Sequence, residues 1–353
     1  MSLADQYRIA AIVPCYNEET AVAKVVTDLR ASVPGMTVYV YDNRSTDRTV
    51  ERAREAGAVV RSEPLKGKGN VVRRAFADID ADIYLLIDGD DTYDASAAPI
   101  MIEKLVSQNL DHVLGVRKDV QTSDGPSAYR PAHETGNRVL NRIVCAIFGD
   151  TLGDMLSGYR VFSRRFVKSF PAVSREFEIE TELTVHSLAL RIPSTSVPVN
   201  FRDRAAGSES KLRTYRDGWK ILHVIVNLAR HERPITFFGV FALLTTTVAV
   251  ILGVPVLTTY FETNMVPRFP TLFVSSFLLV ISCLAMVAGL VMDGIRKARH
   301  EHSRLAYMRY PAVSILEPQT HAPVPHIPAM RHSGMPARVG TRLTPGSASP
   351  FPG

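Results

Sequence analysis

Cysteine is scarce. The 353-residue chain has three, Cys15, Cys145 and Cys283, far apart and with no Cys-x-x-Cys pair. That argues against a disulfide framework or a thiolate zinc site and fits a reducing compartment. An apolar leader core is lacking too: Met1 to Tyr7 is polar and runs straight into an extended stretch, so the first domain is expected to stay in the cytosol. No glycine-rich loop has the spacing of a P-loop or of the dinucleotide fingerprint, so neither cofactor class is supported. The net charge is a modest +6, with basic residues clustered beside apolar segments. Anionic lipid or anionic substrates are therefore the expected partners, and nucleic acid is not.

What is present centres on one stretch. Ile83 to Ile87 is a short apolar run rich in β-formers, suited to a strand buried on both faces. It breaks into Asp88-Gly89-Asp90-Asp91. Ionised carboxylates held this close are costly unless a cation shares them. An Asp-x-Asp turn offers hard oxygens to Mg²⁺ or Mn²⁺ and leaves room for the oxygens of a diphosphate. The plainer alternative is a polar Asp-Gly turn with no ligand.

Around this stretch the chain alternates. Strands are expected at Arg8 to Cys15, Met36 to Tyr41, Ala58 to Ser62, Ile83 to Ile87 and His112 to Val116. Helices fall between them at Glu18 to Arg30, about Thr46 to Ala56, Asn70 to Ala77 and Ala97 to Gln108. Strands separated by helices of this length imply right-handed crossovers, an α/β class and a mostly parallel sheet. Ligands of such sheets bind beyond the carboxyl ends of the strands. Those ends carry Asn17-Glu18, Asp42-Asn43, Asp88 to Asp91 and Arg117. Further along, Glu134 to Phe148 and Glu180 to Leu190 read as helices, and Tyr159 to Ser163 and Ser196 to Phe201 as extended. Glu176, Glu178, Glu180 and Glu182 alternate ahead of a helix; some could touch a sugar or acceptor, but a solvated face with the acidic preference of a helix N-terminus is the favoured reading.

Two segments change the class of the protein. Ile235 to Phe261 and Thr271 to Met292 contain no charged residue. Each is long enough to cross the roughly 30 Å hydrocarbon core of a bilayer. Arg230, His231 and Arg233 precede the first; Arg296, Lys297, Arg299 and Arg304 follow the second. The positive-inside bias puts both outer ends, and the first half of the chain, in the cytosol. Trp219 to Ala229 is amphipathic and suits a membrane interface. Beyond about His302 the chain fills with Pro, Gly, Ser and Arg, as expected of a disordered basic tail.

The motifs together resemble a known group. Ile12-Val13-Pro14-Cys15-Tyr16-Asn17-Glu18-Glu19, Asp42-Asn43-Arg44-Ser45-Thr46-Asp47-Arg48-Thr49, Gly67-Lys68-Gly69 and Asp88-Gly89-Asp90 look like family 2 glycosyltransferases of GT-A fold. Ser157 to Arg164 and Arg204 to Leu212 are similar to the polyprenyl-phosphate branch typified by dolichyl-phosphate mannose synthase. The resemblance covers roughly residues 8 to 215, and Asp-Gly-Asp-Asp departs from the Asp-Ala-Asp of many relatives.

It implies a GT-A domain over 1–214, an interfacial helix over 215–233, a transmembrane hairpin over 234–293 and a tail over 302–353. It implies transfer of one sugar, with inversion, from a nucleotide-diphosphate sugar to a polyprenyl phosphate at the cytosolic face of the plasma (inner) membrane. Asp88 and Asp90 would hold the metal; Pro14, Tyr16, Asn17, Glu18, Asp42, Lys68 and Gly89 would join them around the nucleotide sugar. Arg117, Arg138, Ser157 and Arg160 would hold the acceptor phosphate, and a loop with Arg204, Ser210 and Lys211 would close over the diphosphate. Arg117 counts with Asp88 and Asp90 as catalytic. A phosphate monoester is already anionic near neutral pH, so it needs positioning more than a strong base.

A processive polysaccharide synthase would usually show Gln-x-x-Arg-Trp and more membrane helices. A catalytically silent nucleotide-sugar-binding scaffold would not need Asp88, Asp90 and Arg117 together. The sugar, the base, the lipid length and any homo-oligomer stay open.

Overall fold

A computed structural model describes residues 6–119, 142, 145, 153–172, 178–202, 226, 227 and 229–313. Seven strands form one sheet in the order β3-β2-β1-β4-β6-β5-β7. They are β1 Ile9–Cys15, β2 Thr37–Asp42, β3 Val59–Ser62, β4 Ile83–Leu86, β5 His112–Asp119, β6 Arg160–Ser163 and β7 Ser194–Phe201. All neighbours are parallel except β6, which runs antiparallel to both β4 and β5. The helices of this part are α1 Val22–Ser32, α2 Thr49–Glu55, α3 Lys68–Asp78, α4 Ala98–Ser107, α5 Arg164–Ser169 and α6 Ile179–Ala189. Among the described residues the expected strands and the expected helices between them are found, with ends moved by a few residues.

The two faces of the sheet follow from side-chain alternation along each strand. Ile9, Ala11, Val13 and Cys15 of β1, with Ile83 and Leu85 of β4 and the following Ile87, enter one core with Val22, Val26 and Leu29 of α1 and Met101, Ile102 and Leu105 of α4. Ala10, Ile12, Tyr84 and Leu86 enter the other, with Val72 and Phe76 of α3, Phe166 of α5 and Leu183 of α6. Covering both faces explains why the β4 sequence is continuously apolar rather than alternating. On the second face Phe76 meets Tyr84, Phe162 and Phe170 edge-on at 6.0–6.1 Å. Truncating such a ring to alanine costs about 3–5 kcal/mol.

Two long helices come next, α7 Pro234–Thr263 and α8 Phe269–Met308. Both are long and apolar enough to cross a membrane. They pack through small and hydroxyl residues, as apolar helices in lipid do. Ser275 Oγ donates to the Ala249 carbonyl and Ser282 Oγ to that of Ala242, each at 2.9 Å, and Thr246 meets Ser282 at 2.7 Å. Gly253 lets Ser275 approach: a Cβ there would lie 2.7 Å from its Oγ.

The expected start of a disordered tail at 302 needs correction, because α8 continues through it to Met308. Its end is tied to the sheet domain. Tyr307 donates to buried Asp111 at 2.6 Å, the Arg165 guanidinium lies 4.7 Å from the Tyr307 ring centre and that of Arg164 lies 5.5 Å from Tyr310. Ala312 and Val313 are buried, Val313 within the first core. Nearer the apolar segments, Glu232 is clasped by Arg299 at 2.8 Å and His300 at 3.2 Å. Of the expected interfacial helix, Val226, Asn227 and Ala229 are helical. The rest of it, Glu134 to Phe148 apart from 142 and 145, and the chain beyond 313 lie outside the described residues.

Candidate active site

The carboxyl ends of β1, β2 and β4 meet at one place, with Cys15 opposite Asp42 in register. The loops after β1 and β2 are stitched together there. Asn17 adopts a positive φ of 56°, its Oδ1 accepts from Thr46 N at 2.8 Å and its own N–H donates to Ser45 Oγ at 3.0 Å. Glu18 N donates to Thr49 Oγ1 at 2.8 Å, and Glu19 Oε2 accepts from Arg48 N at 3.0 Å. Asn17 and the Glu18 backbone thus shape the wall of the cleft. Pro14 and Tyr16 are half-buried, and Lys66 Nζ sits 5.2 Å from the Tyr16 ring centre.

Asp42 is buried and accepts from Ser45 N at 3.1 Å, closing a turn after β2. Asn43 is a brace: its Nδ2 donates to the carbonyls of Glu63 and Leu65 at 2.9 and 2.8 Å, and its Oδ1 accepts from Gly67 N at 2.7 Å. Gly67, at φ 127°, opens α3, whose first residues are Lys68 and Gly69.

Beyond β4, Gly89 must be glycine, since a Cβ would lie 2.5 Å from Cys15 Sγ. Asp90 is 7% exposed, and its Oδ1 accepts from Thr92 Oγ1 at 2.7 Å. Asp91, at φ 57°, turns away to Lys24 at 2.8 Å. Burial pushes the Cys15 thiol well above its usual pKa, and Glu18, Asp42, Asp88 and Asp90 push the same way. Four carboxyl groups therefore bear on one buried atom.

Asp88 faces α3 and α6. Lys68, 8% exposed, bridges it to Glu180, with 2.6 Å to Glu180 Oε1. Burial alone would lower the Lys68 pKa, but the two carboxylates outweigh it and raise it. Lys68, expected around the nucleotide sugar, thus has its ammonium between two carboxylates. Glu180, expected on a solvated face, is 4% exposed, and burial pushes its pKa up against the pull of Lys68.

Behind Asp88 lies Gly158, where any side chain would overlap the carboxylate. Tyr93 Oη accepts from Gly158 N at 2.9 Å, and Ser157 Oγ donates to the Gly115 carbonyl at 2.5 Å. Burial, then Asp88, pushes the Tyr93 phenol up to about 12, so it stays protonated.

Arg117 makes a two-pronged pair with Asp154, Nε to Oδ2 at 2.5 Å and Nη2 to Oδ1 at 2.8 Å, its guanidinium carbon 5.4 Å from the Phe201 ring centre. Arg160 corrects the sequence reading. It is 0% exposed, and Nε, Nη1 and Nη2 donate to Ser157 O, Thr184 Oγ1 and Met155 O at 2.8–2.9 Å. Arg160 and Ser157 brace the loop behind Asp88 instead of presenting charge or hydroxyl to an acceptor. Arg138, Arg204, Ser210 and Lys211 lie outside the described residues.

The donor set suits a hard divalent cation. Asp88 and Asp90 carry carboxylates on one turn with no side chain between them. Mg²⁺ characteristically takes one or two carboxylates and fills its sphere with water and phosphate oxygens. Among the described residues no group of three His, Cys, Asp or Glu side chains forms an all-protein metal cage.

A mostly parallel sheet with acidic residues at its strand ends is the architecture of an α/β ligand-binding domain, and paired apolar helices follow it in the chain. The comparisons agree. The glycosyl transferase family 2 model matches residues 10–170. Glycosyltransferase AglJ of Haloferax volcanii is 37% identical over 233 residues, 65% of this chain and 75% of that protein. A dolichyl-phosphate hexose transferase of the same organism is 28% identical over 225 residues, 64% of this chain and 95% of that one. The chain belongs to glycosyltransferase family 2 and is a glycosyltransferase. Its fold is also that of Mycobacterium tuberculosis glucosyl-3-phosphoglycerate synthase, solved with Mn²⁺, UDP and glucosyl-3-phosphoglycerate, at TM-score 0.51 and 22% identity, covering 63% of this chain and 79% of that one.

Proposed function

We propose that the protein transfers one hexose from a UDP- or GDP-sugar to a polyprenyl phosphate, with inversion, at the cytosolic face of the plasma (inner) membrane. The observation that carries this reading is the Asp88-Gly89-Asp90 turn, set at the strand ends of a family 2 domain whose chain continues into two membrane-length helices. A relative named as a dolichyl-phosphate hexose transferase supports the acceptor class.

Asp88 and Asp90 would hold Mg²⁺ or Mn²⁺, which when bound neutralises the departing diphosphate. The rest is done by side chains of this chain. The stitched Asn17–Thr46 loops and Asp42 form the pocket for base and ribose. Lys68 holds Asp88 in place and offsets its charge. Asp154 fixes the plane of the Arg117 guanidinium, and Arg117 supplies the positive charge that draws the acceptor phosphate towards the anomeric carbon against repulsion by the donor. Arg138 and the Arg204–Lys211 loop remain assigned to acceptor and donor phosphates by resemblance.

The test is to incubate membranes containing the full chain with labelled UDP- and GDP-hexoses and polyprenyl phosphate. Labelled, chloroform-extractable product that releases free sugar on mild acid is expected, and chelation should abolish it. Sugar built instead into a long water-soluble polymer would favour a polysaccharide synthase.

A further inference from the structure

We infer that Phe201 is a positioning residue for the transfer step: its ring backs the Arg117 guanidinium and keys it, through Tyr93, to the Asp88-Gly89-Asp90 turn. This rests on the acceptor role proposed above for Arg117 and deepens it by naming what sets that charge relative to the donor.

Asp154 and Phe201 hold Arg117 in different ways. Asp154 pairs with Nε and Nη2, which takes up N–H donors and offsets the charge. The Phe201 ring centre lies 5.4 Å from the guanidinium carbon, within the roughly 6 Å reach of a cation–π contact. Such a contact attracts the guanidinium while using none of its N–H groups, and it sets no net charge against an incoming phosphate. The strand register places the ring. Arg117 lies opposite Val199 in the parallel pair of β5 and β7, so Phe201, two residues on, shares that face of the sheet.

The same ring is fixed from the donor side. It meets the Tyr93 ring edge-on, centres 5.2 Å apart at 66°, and Phe201 pairs with Tyr93 as an isolated antiparallel bridge. On either side of the bridge, Arg202 N donates to the Thr92 carbonyl at 2.8 Å and Asp94 N to the Asn200 carbonyl at 3.3 Å. Thr92 in turn donates its hydroxyl to Asp90, and Tyr93 accepts from Gly158 behind Asp88. The two carboxylates assigned to the metal and the guanidinium assigned to the acceptor phosphate are therefore registered to one another through Tyr93 and Phe201. Attack needs the reacting atoms about 3–3.5 Å apart and aligned, so this support bears on turnover of the acceptor more than on donor binding. Phe201 also packs against the first core, and a purely structural role is the alternative the test must separate.

The test uses the full-length protein in detergent with Mg²⁺, a UDP- or GDP-hexose and a short, water-soluble prenyl phosphate. Phe201→Leu should lower kcat/KM for the prenyl phosphate about 3- to 30-fold, with calorimetric affinity for the nucleoside diphosphate kept within about twofold. Phe201→Tyr keeps a ring face and should restore the rate to within about twofold of the parent. In an Arg117→Ala background, Phe201→Leu should cost less than about twofold more, because the coupled pair is already broken. Loss by the same factor with and without Arg117, or a matching loss of nucleotide affinity, would overturn the inference and leave Phe201 a core side chain. Should Phe201→Leu fail to fold, a series of increasingly fluorinated phenylalanines at position 201 decides, since the shape is kept while the negative face of the ring weakens. The rate should fall stepwise with fluorination, and a level series overturns the inference. If Arg117→Ala by itself leaves acceptor use unchanged, the acceptor role of Arg117 falls and the inference with it. Absence of any transfer by the unaltered protein would bring down the proposed function itself.

Discussion

Asp90 and Asp91 are adjacent in sequence yet turned to different partners. Asp90 is buried at the strand end beside Thr92, whereas Asp91 swings out to the half-exposed Lys24. Asp90→Asn should lower transfer by at least about 100-fold, the scale of losing a charge-stabilising group at the reacting centre, with melting temperature nearly unchanged. Asp91→Asn removes a surface ion pair worth about 0–1 kcal/mol, and its turnover should stay within a few-fold of the parent. Steady-state rates and thermal melts of the two variants separate these outcomes. Asp88, Asp90, Asp42 and Arg117 were legible because they come directly after apolar strands, at the ends where α/β sheets bind ligands. Glu180 was not. Alternating glutamates before a helix look solvated, and the lysine that buries one of them lies 112 residues earlier. Arg160 was misread for the same reason: its hydrogen-bond partners come from a loop and a helix that local sequence does not bring together.

The elements carry a second set of consequences. Deleting the chain after His302 looks harmless from composition, since Pro and Arg dominate that end of the chain. The structure predicts otherwise, because the deletion removes Tyr307 from Asp111, Tyr310 from Arg164 and Val313 from the core. Truncation there should lower the melting temperature by several degrees, while truncation after Pro318 should not. Tyr307→Phe alone should cost about 1.5–3 kcal/mol, the value of a hydrogen bond to a buried carboxylate. The end of α8 was illegible because its anchoring residues are spaced among Arg, His and Ser, which gives no continuous apolar run. The antiparallel β6 was equally hidden, since strand direction depends on connections and not on composition.

Buried histidines add a pH dependence at this scale. Burial pushes His112 well below its usual pKa and, with His300 nearby, lowers His186 to about 3. Below about pH 6.5 the unfolded chain takes protons that the folded one refuses, so stability falls as pH drops from there towards 3. Each histidine contributes about 1.4 kcal/mol per pH unit once well inside that window. Thermal melts from pH 7.5 to 5 should show the decline; a level profile would contradict it.

At the scale of the whole molecule, the paired apolar helices were the most legible feature, since two long uncharged runs have few other uses. Their service to the catalytic half can be read from α8. From Asp293 to Tyr307 the helix rises about 21 Å, and Tyr307 grips Asp111 at the amino end of β5. From Asp111 to Arg117 the strand covers about 20 Å. Along the way His300 lies close enough to His186 to lower its pKa, and α6 runs from Glu180 at the site towards that contact. An α8 running alongside β5 from that contact would bring the site end of the sheet towards the apolar segments, at about the level of Asp293. On the proposed membrane reading, α8 would work as a height gauge, setting how far the cleft stands above the lipid headgroups. Seven alanines inserted between His302 and Ser303 would raise the gauge by about 10 Å. Transfer to polyprenyl phosphate in vesicles should then collapse, while transfer to a short, water-soluble prenyl phosphate continues at near the original rate.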